Sequence, residues 1–155
     1  MTSARDARVY AWENRVVAPR DRSIVPFGQM QALVDHVWAA EGLAWPPRMR
    51  PRKASRGVLA TGSRLAIEAP ESLPSWVLLH EIAHAMTSTA DGDGAGHGPD
   101  FVGVYVRLLV QHCRLDEELL SETLAADGIA WNRHARVAFV DVPRGGGSSR
   151  AGGIT

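Results

Sequence analysis

A single cysteine, Cys113, stands in 155 residues. No internal disulfide can form within the chain, and a zinc knuckle built from several thiolates is excluded. A lone thiol suits a reducing compartment, so the expected localisation is cytoplasmic. Cys113 itself reads as a small core residue rather than a nucleophile. No apolar run approaches the roughly 20 residues needed to cross a bilayer, so no membrane partner is expected. The first eight residues carry charges but no apolar stretch of the secretory-signal kind. An excess of one charge is also missing: 17 Lys and Arg balance 17 Asp and Glu. No global field draws the chain to nucleic acid or to membrane.

What is present is 45% hydrophobic residues, five of the aromatic ones Trp, enough for one sizeable core. A single domain is expected over residues 1–142. Residues 143–155 are largely Gly, Ser and Arg with almost nothing to bury, and are expected to be a disordered tail.

The elements follow from periodicity. Val9–Val17 alternates loosely and predicts a first strand. Phe27, Met30, Leu33, Val34, Val37 and Trp38 recur at helical spacing and predict a helix over 27–41, ended at Gly42. Arg48–Lys53 reads as extended. Gly57–Ala60 and Arg64–Ala69 flank a turn at Thr61-Gly62-Ser63 and predict a hairpin. Trp76–Met86 is apolar on nearly every side and predicts a buried helix, capped near Ser72 with Pro74 in its first turn. A further helix starts at His97-Gly98-Pro99-Asp100-Phe101. Asp116 would cap a short helix that ends near Gly128. Arg136–Val142 alternates as a last strand. The fold class is therefore α+β, with a small β-sheet packed on the Trp76–Met86 helix.

That helix carries His80-Glu81-Ile82-Ala83-His84. Residues four apart lie one turn apart on one helical face, so the imidazoles of His80 and His84 can close on one metal ion. Glu81 leans to the same side as a carboxylate able to take a proton from water at the metal. These are the working parts of a zinc hydrolase. Three adjacent polar side chains in a buried helix also need partners, and a metal would supply them. Catalytic zinc sites use three protein ligands and leave a fourth position open. His97, after a Gly-rich loop, is the preferred third ligand. Glu117, Glu118 and Glu122 are the alternatives, although a solvated helix face is the commoner fate of such residues.

The run HEIAHAM, a polar glycine-containing loop, and then GHGPDF resembles the metallopeptidase core of the SprT/Spartan group. The chain is similar, closer still, to a set of small actinobacterial proteins described as metallohydrolases. The resemblance is secure over about Leu65–Leu109. It implies a zincin-like fold, Zn2+ held by His80, His84 and His97, Glu81 as the catalytic base, and a peptide or protein substrate. SprT-group proteins commonly add a cysteine-based zinc module, which one cysteine cannot build. Cleavage of DNA-crosslinked proteins is therefore not carried over.

Several other residues have two readings. Arg48, Arg50, Arg52, Lys53 and Arg56 form one basic cluster that could hold a phosphate backbone, or simply keep a strand edge solvated. Tyr105 is a candidate oxyanion donor or a core residue. Asp100 is a candidate to orient a ligand histidine, or a helix-start residue. Arg64–Ala69 is a candidate edge for an extended peptide. His36, His112 and His134 match no motif. Two rival functions stand beside the hydrolase. A non-catalytic, zinc-stabilised binding module would have no need of Glu81. A regulatory peptidase of one protein target gains no support from a neighbouring helix-turn-helix.

Overall fold

The computed structural model describes residues 3–53 and 59–139. Among them it is an α+β structure of five α-helices and two small sheets. The chain opens with α1 (Ala4–Trp12), which runs into a π-helical turn, Glu13–Val17, and a 3-10 turn, Ala18–Arg20. This corrects the strand expected over Val9–Val17. Val9, Trp12, Glu13, Val16 and Val17 are the buried positions, and that spacing is helical. A glutamate inside the buried stripe and two aromatic residues disguised the period. Ser3 starts α1 with a reciprocal cap: its Oγ accepts from the Asp6 amide, and its own amide donates to Asp6 Oδ2.

β1 (Ile24–Pro26) leads directly into α2 (Phe27–Ala40), in line with the expected helix over 27–41. Gly42 follows with φ +78°. β2 (Arg48–Pro51), β3 (Thr61–Gly62) and β4 (Ala66–Ala69) form one sheet in the order β2-β4-β3. β4 pairs parallel to β2 and antiparallel to β3. The expected edge at Arg64–Ala69 is therefore corrected: β4 is the central strand, and β3 supplies the edge. The hairpin is also shorter than expected, and Gly57 and Val58 lie outside the described residues. β5 (Ser72–Pro74) pairs antiparallel with β1. Ser72 thus belongs to a strand and does not cap the next helix, whose N-cap is Pro74.

α3 (Ser75–Met86) is the central helix, with Leu78, Leu79, Ile82, Ala83, Ala85 and Met86 buried. α4 (Pro99–Cys113) packs against it and buries Phe101, Val104, Tyr105 and Leu108. α5 (Glu117–Ala126) is capped as expected, Asp116 accepting from the Leu119 amide. The Trp12 indole N–H donates to Thr123 Oγ1 at 2.8 Å and ties α1 to α5. No strand is present at 136–139, against the expectation for Arg136–Val142. That segment instead packs Val137 and Phe139 on the core. Residues 140–142 and the expected tail, 143–155, lie outside the described residues.

β3 is held very close to α3. A Cβ built on Gly62 would stand 2.3 Å from the backbone oxygen of Glu81. Only glycine fits there without moving backbone. Gly62→Ala is expected to push β3 off α3 and to cost about 1–3 kcal/mol of unfolding free energy. Denaturant unfolding reads this directly, and an unshifted midpoint would show that the strand yields freely.

Candidate metal centre

α3 places His80 and His84 one turn apart, and the loop ahead of α4 returns His97 to them. The three Nε2 atoms form a triangle with all three edges at 3.2 Å. A tetrahedral zinc with Zn–N of 2.0–2.1 Å sets ligand nitrogens about 3.3–3.4 Å apart. The three histidines thus lie close enough to hold a metal ion. Glu117 pairs instead with Arg133, so it is not brought to the histidines, and neither Glu118 nor Glu122 joins the group.

The opposite ring nitrogens are already engaged. His80 Nδ1 lies 2.6 Å from Glu13 Oε2, and His97 Nδ1 lies 2.9 Å from Asp6 Oδ1. A carboxylate accepts from N–H, so each bond places the proton on Nδ1 and leaves the Nε2 lone pair facing inward. With two such rings, the three short N···N contacts cannot all be hydrogen bonds, because His84 has at most one Nε2 proton to share. A cation satisfies all three lone pairs together. The donor set therefore fits a nitrogen-preferring metal.

Both carboxylates come from the N-terminal segment, which the motif does not mark. Asp6 uses Oδ2 to cap α1 and Oδ1 to hold His97. Glu13 is 2% exposed and lies at the start of the π turn, a distortion frequent at functional sites. Arg5 adds a backbone clamp, its Nε donating to the His97 carbonyl and its Nη2 to that of Ala130, both at 2.7 Å. The signal for this helix was available in Ser3/Asp6 as a capping pair and in the seven-residue spacing of Asp6 and Glu13. Asp100 takes the helix-start reading of its two, in the first turn of α4, and accepts from Asn132 Nδ2 at 2.9 Å in the segment after α5.

Phe101 forms the apolar backing of the centre. Its ring stacks on His84 at 4.3 Å and meets His80 and His97 edge-on at 4.9 and 5.1 Å. Tyr105 lies deeper. It is fully buried, and its hydroxyl donates to the Trp76 carbonyl at 3.3 Å. The core reading of Tyr105 is therefore the one borne out. Tyr10 is the tyrosine at the rim, edge-on to His97 at 5.0 Å and 44% exposed.

Electrostatics follow burial. Burial pushes the His84 ring down to about 2, helped by His80 and His97 and opposed by Asp6. Burial also disfavours a charged His80, but the Glu13 hydrogen bond and the charges of Glu13 and Glu81 outweigh it and hold that ring above its usual value. The hydrogen bond from His97 is the main cause that lowers Asp6. Glu81, 7% exposed, is raised to about 7 by burial, with His80 opposing and Glu13 adding.

His80, His84 and Glu81 open onto a cavity of about 670 Å³, whose walls include β3 and Trp76. The remaining candidates lie elsewhere. His36 and His112 meet edge-on at 5.7 Å, and His134 is exposed. Cys113 is only half-buried. Burial and its Asp21 neighbour push the thiol up to about 12, which suppresses thiolate chemistry. Arg48 and Arg50 are exposed on β2, an outer strand, and Arg52 pairs with Glu68 at 3.2 Å. Arg56 lies outside the described residues. No helix among the described residues is long and apolar enough to cross a membrane.

A scan against protein-family models finds no matching family, and searches of curated proteins and of solved structures find no match.

Proposed function

We propose that the chain is a zinc-dependent metallopeptidase of zincin-like architecture, similar in its core to the SprT/Spartan group. The observation that carries the reading is the triangle of Nε2 atoms at 3.2 Å beside Glu81, at the wall of an open cavity. His80, His84 and His97 would hold the zinc through Nε2. The bound ion would supply Lewis acidity, polarising a carbonyl and making water a stronger acid. Glu81 is the general base: its carboxylate takes the proton as water attacks, then delivers it to the leaving amine. Glu13 and Asp6 keep the ring protons on Nδ1 and the ligand lone pairs aimed inward. Phe101 excludes water from behind the histidines. β3, an outer strand of its sheet among the described residues, lines the cavity, and an extended peptide can add to it as a further strand.

A closed, non-catalytic zinc module would require a fourth protein ligand. Among the described residues no fourth group joins the three histidines, and the cavity beside them favours the catalytic reading.

The test is metal content alongside peptide hydrolysis. The purified chain is expected to carry one zinc and to cleave members of a broad peptide library. Chelation removes activity and added zinc restores it. His84→Ala loses both metal and hydrolysis. One firmly held zinc per chain with no cleavage anywhere in the library would sink the peptidase reading.

A further inference from the structure

α1 turns one face to the metal centre. Asp6, Tyr10 and Glu13 follow one another at i, i+4 and i+7 along it and its C-cap, the spacing of a single helical face. The outer two hold the far nitrogens of His97 and His80. Tyr10 lies between them in the chain. Its ring meets His97 edge-on at 5.0 Å and runs nearly parallel to that of His80 at 6.3 Å. Tyr10 is nevertheless no core residue: it is 44% exposed and lines the cavity that His80, Glu81 and His84 also line. Among the described residues its hydroxyl has no hydrogen-bond partner. Attack of water on an amide carbonyl puts negative charge on the carbonyl oxygen, and a donor already in place lowers that barrier. No Lys or Arg lines the cavity among the described residues, so the donor must be neutral. Thr61 Oγ1 is committed to Glu68. Asn14 and Trp76 also carry donors in the lining, but Tyr10 is the one in ring contact with two of the three histidines.

We propose that Tyr10 is a catalytic residue of this centre: its phenolic O–H donates a hydrogen bond to the substrate carbonyl oxygen as that oxygen takes up negative charge. The proposal rests on the metallopeptidase reading for the reaction itself. Water forms a bond to the carbonyl carbon, the π pair of the C=O bond moves to oxygen, and Glu81 takes the proton that water gives up. Tyr10 transfers no proton. Its hydrogen bond strengthens as the charge develops and relaxes as the charge is lost. When the pair returns to the carbonyl, the C–N bond breaks and the proton passes from Glu81 to the leaving nitrogen. A phenol suits this place. It is a neutral donor at ordinary pH, so it does not neutralise the Glu81 carboxylate as a lysine or arginine in the same cavity would. The labour divides by helix. α3 brings the base, and α1 brings the two carboxylates that hold the histidines together with the donor that lines the cavity.

The test uses the zinc-loaded full chain, a peptide that the parent cleaves, and a phosphinic analogue of that peptide, in which a tetrahedral phosphinate replaces the scissile amide. Tyr10→Phe keeps the ring and its contacts with His80 and His97 and removes only the hydroxyl. It is expected to lower kcat by about 10²–10³-fold, with KM within about threefold of the parent, because the bond is made in the transition state and not in the ground state. Calorimetry is expected to show the phosphinic analogue bound more weakly by a similar factor, while chelator competition shows an unchanged zinc affinity. A hydroxyl that only packs at the rim would move neither kcat nor the affinity for the analogue. Unchanged kcat in Tyr10→Phe overturns the proposal, and so does a loss confined to KM. Loss of zinc along with turnover would make the phenol a support of the ligands and overturns it too. So does a full loss of kcat in Asn14→Ala beside a fully active Tyr10→Phe, which would assign the role to the amide. A parent that cleaves no peptide removes the peptidase reading and the proposal together, whereas a Tyr10→Phe variant as active as a cleaving parent removes the proposal alone.

Discussion

Glu81→Gln is expected to lower peptide hydrolysis by about 10²–10⁴-fold, the usual contribution of a positioned general base, while zinc remains bound. The substitution is nearly isosteric and removes only the ability to accept a proton. The three convergent Nε2 atoms belong to His80, His84 and His97, so the variant leaves the ligand set intact. Metal content measured beside turnover separates the two roles. Loss of zinc along with activity would make Glu81 a ligand or a support of the ligands. Retained zinc with retained activity would remove it from the chemistry altogether. The backbone of Glu81 is braced by the close approach of Gly62, and Gln alters nothing on that side.

The second large effect is expected at residues outside the motif. Asp6→Asn and Glu13→Gln should each weaken zinc binding by about 10–100-fold, and together by about 10²–10⁴-fold, because each carboxylate supports a different histidine. Both replacements keep volume and a carbonyl oxygen that can still accept from Nδ1, so the loss reads the missing charge. Glu13 should show the larger effect: its 2.6 Å bond to His80 is buried, whereas Asp6 is 30% exposed at its 2.9 Å bond to His97. Competition with a chelator of known affinity measures both. Affinities within twofold of the parent would demote the two carboxylates to helix packing.

These two experiments divide along what the sequence made legible. His80, Glu81 and His84 announce themselves because a helix fixes their relation locally, through four residues of regular backbone. His97 could be reached by counting ligands, and the structure brings it to the pair. The α2 helix and the Asp116 cap were readable for the same reason: their signals are short-range. Asp6 and Glu13 were not found, because their role depends on where α1 docks, and α1 was itself hidden by Tyr10, Trp12 and a buried glutamate that broke its apolar stripe. Proximity in sequence to His97 does not separate the orienting reading of Asp100 from the helix-start one; its carboxylate lies in the first turn of α4 and faces Asn132. Tyr105 carries two readings in the sequence, oxyanion donor and core residue. Its inward direction, set by the packing of α4 on α3, is a tertiary fact. The order of β2, β4 and β3 was likewise beyond alternation alone. Residues 64–69 show the period of a half-buried strand, but that period does not tell a central strand from an edge.

Arg5, Asp6 and Glu13 reach across 92, 91 and 67 residues to His97 and His80. Such bonds close long loops, and their entropic cost is met only when most of the core has condensed. The histidine pair on α3 can exist in any species that has formed that helix, whereas the fully braced centre can exist only after the N-terminal segment has docked on α3 and on the loop before α4. Tight metal uptake, on the proposed reading, would serve as a clock for a late stage of folding. A partly folded chain would hold the ion loosely, and the ion, by favouring the completed form, would shift the balance away from such intermediates.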